Sequence, residues 1–186
     1  MFKNAAFQGA GARSIAYIGA LKKFEEHNFK FQAVAGVSGG SIVAALYAAG
    51  YTSEQIKGIL DDTVFSDLVV FGEEKSLINI LQSIKKIIQN QGVYSTDRVE
   101  QWLSEHLAKK EVRVFRDLEI DLHILAVNKT TKQPEYFNKQ KSSNFEIAKA
   151  VCASISIPFF FKPVVNNEEE LTDGGLAVKT PSSIFY

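Results

Sequence analysis

Two glycine-rich junctions, each set between a short apolar run and a helical stretch, limit the folding of this chain more than any other feature. The first, Gly9-Ala10-Gly11-Ala12-Arg13-Ser14, follows the run that ends at Ala5 to Gln8; the second, Gly36-Val37-Ser38-Gly39-Gly40, follows Phe31 to Gly36. Behind the first junction, Ser14 to His27 places Ile15, Ile18, Leu21 and Phe24 at helical spacing, and behind the second an Ala-rich segment runs from Ser41 to Ala49 and closes at Gly50. Strand, turn and helix twice in succession predict neighbouring parallel strands whose turns open on one sheet edge.

The alternation continues. Thr52 and Gln55 form a capping box for a helix to Leu60, and further helices are expected from Leu77 to Ile88 and from Thr96 to Leu107. Leu122 to Val127 reads as an interior strand with Glu135 to Phe137 as its hairpin partner, and Asn144 caps a helix to Ala153. Short strands follow at Pro163 to Val165 and up to Leu171-Thr172-Asp173. The expectation is an α/β fold, three-layer αβα with a mainly parallel central sheet covered on both faces. No repeat or linker divides the sequence, so residues 1–186 are read as a single domain, minimal or truncated at its C-terminal side.

Lys plus Arg and Asp plus Glu each total 21, which removes any global pull toward nucleic acid or an anionic membrane and makes membrane contact a local matter. The run Glu168-Glu169-Glu170 reads as a solvated loop. A single cysteine, Cys152, excludes an intrachain disulfide and a multi-cysteine zinc site. No signal peptide or transmembrane run is read, so the expected location is cytoplasmic or peripheral at membranes, with export by a route lacking a cleavable signal left open.

Gly36-Val37-Ser38-Gly39-Gly40 matches G-x-S-x-G in the strand–turn–helix context in which that motif exposes a nucleophilic hydroxyl. The helix starting beside Ser38 favours a developing oxyanion, and backbone N–H groups of Gly9 to Arg13 can converge on one oxygen, with Arg13 adding a permanent cation. The first loop also fits a dinucleotide fingerprint with Ser14 in the third glycine place, but no acidic strand end follows at the required distance. As a base for Ser38, the three histidines carry weak signals: His27 lies near a helix end, His106 in an amphipathic helix and His123 inside an apolar strand. Asp173, closing a strand ahead of Gly174 and Gly175, is the better candidate, although an Asp-Gly turn explains it too.

Taken in order, these three motifs make the chain resemble the patatin-like phospholipases, and the likeness extends to Ile42 to Tyr51 and to Ala150 to Pro158. The resemblance implies a serine lipid acyl hydrolase. Ser38 would attack an ester of a phospholipid or other acyl lipid, Asp173 would act as its base in a two-residue dyad, and the amides of Gly9, Ala10, Gly11, Ala12 and Arg13 would form the oxyanion hole. Gly36, Gly39, Gly40, Gly174 and Gly175 would support the motifs. No metal or organic cofactor is implied, and a protein activator stays open. The loop departs from the family pattern at Ala10 and Ser14, which have usual glycines as counterparts, and Lys179 stands where an asparagine is common. A general esterase or acyltransferase, or a silent lipid-binding domain, are the alternative readings. Phe159, Phe160 and Phe161, and Val69, Val70 and Phe71, are candidates for an acyl groove or a membrane-facing rim, with core packing the commoner role for such residues. The segment from Asp62 to Ser95 occupies the place of a lid.

Overall fold

The computed structural model describes residues 3–64, 68 and 92–185. The expected helix from Leu77 to Ile88, the run Val69 to Phe71 and most of the expected lid segment lie outside the described residues.

Three strands come first to the sheet: β1 (Asn4–Phe7), β2 (Ala33–Val37) and β3 (Asp121–Asn128). They pair in parallel, with Asn4 opposite Ala33 and Ala33 opposite Asp121. Between β1 and β2 lie a 3-10 segment (Gly11–Ala16) and α1 (Tyr17–Glu26); α2 (Gly39–Ala48) leaves β2 after one residue. The expected helix from Ser14 thus begins as 3-10 structure, its glycine-alanine stretch carrying no side-chain cap. α3 (Ser53–Asp61) has the predicted capping box, with the Gln55 N–H donating to Thr52 Oγ1 and the Thr52 N–H to Gln55 Oε1. α4 (Asp97–Ala108) buries Val99, Leu103 and Leu107 on one face.

β4 (Pro134–Phe137) returns antiparallel along one edge of β3, α5 (Ile147–Ile155) follows, and β5 (Val164–Asn166) with β6 (Glu169–Asp173) forms a hairpin whose second strand is antiparallel to β3. The sheet is therefore mixed, not mainly parallel: the two early pairings are parallel, the β3–β4 and β5–β6 hairpins are antiparallel, and β6 also runs antiparallel to β3. The hairpin turn is Asn167-Glu168, both at positive φ, the backbone a two-residue type I′ turn demands. Glu168 and Glu169 are exposed there, as a solvated loop should be.

Both faces of the central strands are buried, with Ala35, Val37 and Leu125 enclosed on one of them, and the main apolar cluster lies on the other. Val34, Leu122, Ile124 and Ala126 share it by strand alternation and pack with α2 and α5, which touch each other. On the opposite face, His123 meets the ring of Phe185 in the 3-10 segment Pro181–Phe185. α5 is buried along almost its whole length, which suits a helix apolar all round. It starts after Glu146 rather than at Asn144, whose side-chain oxygen accepts from Arg116.

Candidate active site

β2 delivers Ser38 into a sharp turn with φ 51°, a conformation that a non-glycine residue holds only when its surroundings enforce it. Two glycines make that enforcement feasible. A Cβ on Gly36 would lie 2.5 Å from Ser41 Cα, and one on Gly40 would lie 2.4 Å from the Phe7 carbonyl oxygen, so α2 packs hard against the ends of β2 and β1. The turn is then tied down from α5. The Ser38 N–H donates to Ser154 Oγ at 2.9 Å, and the Ser154 hydroxyl donates to the Leu125 carbonyl at 2.6 Å. Ser41 Oγ closes the other side by donating to the Ser38 carbonyl at 2.6 Å.

Asp173 reaches the same point along β6. Its N–H donates to the Ser156 carbonyl at 2.9 Å, and Gly174 is so close to Leu125 that a Cβ there would lie 2.1 Å from the carbonyl oxygen. The Ser38 hydroxyl donates to Asp173 Oδ2 at 2.7 Å, while Oδ1 accepts the Gly175 N–H at 2.6 Å. Both residues are enclosed, Ser38 at 9% and Asp173 at 5% exposure. Burial raises the Asp173 pKa above the ordinary aspartate value, opposed by the hydrogen bonds from Ser38 and from the Gly175 amide. A carboxylate so placed is a stronger base than one in water.

The glycine-rich loop is narrower as a donor set than expected. The Gly9 N–H donates to the Lys179 carbonyl at 3.1 Å and the Arg13 N–H to the Ala10 carbonyl at 3.1 Å, so both are engaged by backbone partners here. The amides of Ala10, Gly11 and Ala12 remain, and Gly11 holds φ at 53°. Gly9 abuts the nucleophile, since a Cβ on it would lie 3.1 Å from Ser38 Cβ. Gly39 is equally confined, by the Gly11 carbonyl and Ser14 Oγ. The Ser14 hydroxyl is buried and has no hydrogen-bond partner among the described residues. Arg13 is exposed at the outer side of the loop.

An apolar pocket of about 310 Å³ opens beside Ser38, walled by Ile42, Val43, Leu60, Ile155, Ile157 and Phe161. Phe161 lines this pocket, whereas Phe159 and Phe160 are exposed; core packing is not their place. None of the histidines approaches the dyad through a hydrogen bond. His123 Nε2 meets Asp121 at 3.0 Å, His106 Nδ1 meets the Trp102 carbonyl at 2.8 Å, and the His27 N–H donates to the Phe24 carbonyl at the end of α1. Sequence reasoning missed Ser154 and Ser156, whose only signal was their place in the Ala150 to Pro158 stretch. It also missed Gly92, whose φ of 67° brings residue 92 against the Phe161 backbone. No group of His, Cys, Asp and Glu that could hold a metal ion occurs among the described residues.

A strained serine at a strand-to-helix turn, hydrogen-bonded to a buried carboxylate beside an apolar pocket, is an arrangement in which a hydroxyl can serve as a nucleophile in an α/β fold. The model of the patatin-like phospholipase family matches residues 5–186, and the chain belongs to that family. It is 32% identical to the protein YqhO of Bacillus subtilis over 196 residues, covering all of this chain and 67% of that protein. It is 24% identical to a probable lipid hydrolase of Invertebrate iridescent virus 6 over 191 residues, covering 98% of this chain and 63% of that one. Among solved structures, VipD from Legionella pneumophila shares the fold with a TM-score of 0.67 at 17% identity, over 96% of this chain and 46% of VipD.

Proposed function

We propose that this chain cleaves fatty acyl esters of phospholipids or related lipids through a dyad of Ser38 and Asp173. The observation that carries the reading is the 2.7 Å hydrogen bond from the Ser38 hydroxyl to a carboxylate whose proton affinity burial has raised. The acyl chain lies in the pocket bounded by Ile42, Leu60 and Phe161, with its carbonyl over Ser38. As Ser38 Oγ attacks, its proton passes to Asp173 Oδ2, and the oxyanion is held by the amides of Ala10, Gly11 and Ala12 together with the start of α2. Asp173 returns the proton to the leaving alcohol, water then attacks the acyl-enzyme with Asp173 again as base, and Ser38 is regenerated. Gly175 keeps the carboxylate aimed throughout by its bond to the other oxygen.

The test is the Ser38→Ala variant. It should stay folded, lose turnover of p-nitrophenyl butyrate and escape labelling by a fluorophosphonate that labels the parent chain at Ser38. Turnover that persists in this variant overturns the proposal.

A further inference from the structure

We propose that the turn from Ile157 to Phe161 is an interfacial anchor that seats the chain on a phospholipid bilayer, with the Phe159 and Phe160 rings entering the headgroup region. The inference takes its direction from the lipid acyl hydrolase reading, because that reading requires a substrate drawn out of a bilayer into the Ser38 pocket.

Phe159 is 52% and Phe160 61% exposed, and Ile157 at 44% and Leu176 at 61% extend the same apolar surface. Water rejects such rings, and an exposed apolar cluster of this kind marks a contact surface. The turn does not hold them loosely. The Phe160 carbonyl accepts the N–H groups of Val93 at 2.9 Å and Tyr94 at 2.8 Å, the Lys162 N–H donates to the Tyr94 carbonyl at 2.8 Å, and the Phe161 N–H donates to the Ile157 carbonyl at 2.9 Å. Phe159 sits at φ 71°, a conformation unfavourable for a bulky side chain that its surroundings must impose. A fixed, strained backbone thus presents the rings outward.

Position and charge select the occupant. Ile157 and Phe161, the two ends of the turn, wall the Ser38 pocket, so the exposed rings continue directly into the acyl site. On the other side, Phe159 and Phe161 border a second pocket of about 320 Å³ with Lys129, Lys132 and Leu176. Lys129 is paired with Glu170 at 2.7 Å, whereas Lys132, on the same pocket as Phe159, and Lys162, next after Phe161 in the chain, are exposed. Aromatic rings with a lysine fringe match the apolar-to-anionic gradient of a phospholipid surface, where rings lie at the acyl boundary and ammonium groups meet phosphates.

The experiment uses the Ser38→Ala chain, so that vesicles stay intact, and compares it with the same chain carrying Phe159→Ser and Phe160→Ser. Co-sedimentation with vesicles of phosphatidylcholine and phosphatidylglycerol should fall by about tenfold or more, as expected when two rings no longer leave water, with the melting temperature unchanged. In the Ser38 parent, the two ring substitutions should slow hydrolysis of vesicle lipid and leave turnover of soluble p-nitrophenyl butyrate unaltered. Undiminished vesicle binding overturns the anchor, as does a ring-dependent dimer seen by light scattering with vesicle binding intact. Because binding is read without hydrolysis, failure of the dyad and failure of the anchor are distinguished.

Discussion

Ser154 and Ser38 stand 116 positions apart, and the side chain of the first accepts the amide proton of the second at 2.9 Å. One hydroxyl therefore joins the nucleophile turn to the carbonyl of Leu125 on β3, and removing it strands two buried backbone groups. Ser154→Ala should cost about 2 kcal/mol of stability and lower kcat more than it changes KM, as read by denaturant unfolding and steady-state kinetics. Ser14 is its opposite: a buried hydroxyl without a partner. Ser14→Ala should leave stability unchanged or raise it by about 1 kcal/mol, and a loss as large as that of Ser154→Ala would refute the contrast.

Asp173 links activity and stability to pH. Its native pKa stands above the unfolded value because burial penalises the charge, so the folded state binds the proton more readily. The sign follows: the penalty is absent below the ordinary aspartate range and stability is lost as pH rises from that range through the native value. Asp173→Asn should abolish turnover yet melt at or above the parent temperature at neutral pH, with the difference vanishing in acid. The acid limb of the parent's pH–rate profile should lie above the ordinary carboxylate pKa. Scanning calorimetry across pH, beside a rate profile, checks both.

Gly40 is where α2 is pressed against the end of β1. A methyl there meets the Phe7 and Gln8 carbonyl oxygens at 2.4 and 2.5 Å, both backbone atoms that cannot swing aside. Gly40→Ala should destabilise by roughly 1–3 kcal/mol and displace the Ser38 turn, so that fluorophosphonate labelling slows along with the fall in melting temperature.

Cys152 is buried in α5, its Sγ donating to the Thr96 carbonyl at 3.6 Å. Burial, with Glu100 nearby, pushes the thiol up to about 12. No thiolate is available near neutral pH, so iodoacetamide should leave the native chain unmodified and label Cys152 only after denaturation, as mass spectrometry would show.

The parts of this site that could be read in advance are those written in local backbone chemistry. Gly36 to Gly40 and Asp173 to Gly175 announce turns wherever they occur, and the order of the motifs carried the resemblance. Ser154 could not be read, because a serine in an apolar helix gains its role only when α5 is set against the end of β2. The direction of β6 was hidden for a similar reason: short alternating strands look alike whichever way they pair. Asn144 has the chemistry of a cap, but Arg116 takes its oxygen. The turn that carries Phe159 and Phe160 is tied by hydrogen bonds from Val93 and Tyr94, far away in the chain.

β2 and β6 arrive end to end along one edge of β3, since β4 occupies the other: Val37 stands opposite Leu125, and Asp173 opposite the next residue, Ala126. The encounter of acid and alcohol is thus a matter of strand registration. A slip of β6 by one place would turn the carboxylate to the far side of the sheet and offer Thr172 to Ser38 instead. Such a misfolded molecule would keep nearly all its secondary structure and be chemically mute, so turnover is a more sensitive gauge of correct folding here than any spectrum of helix and strand.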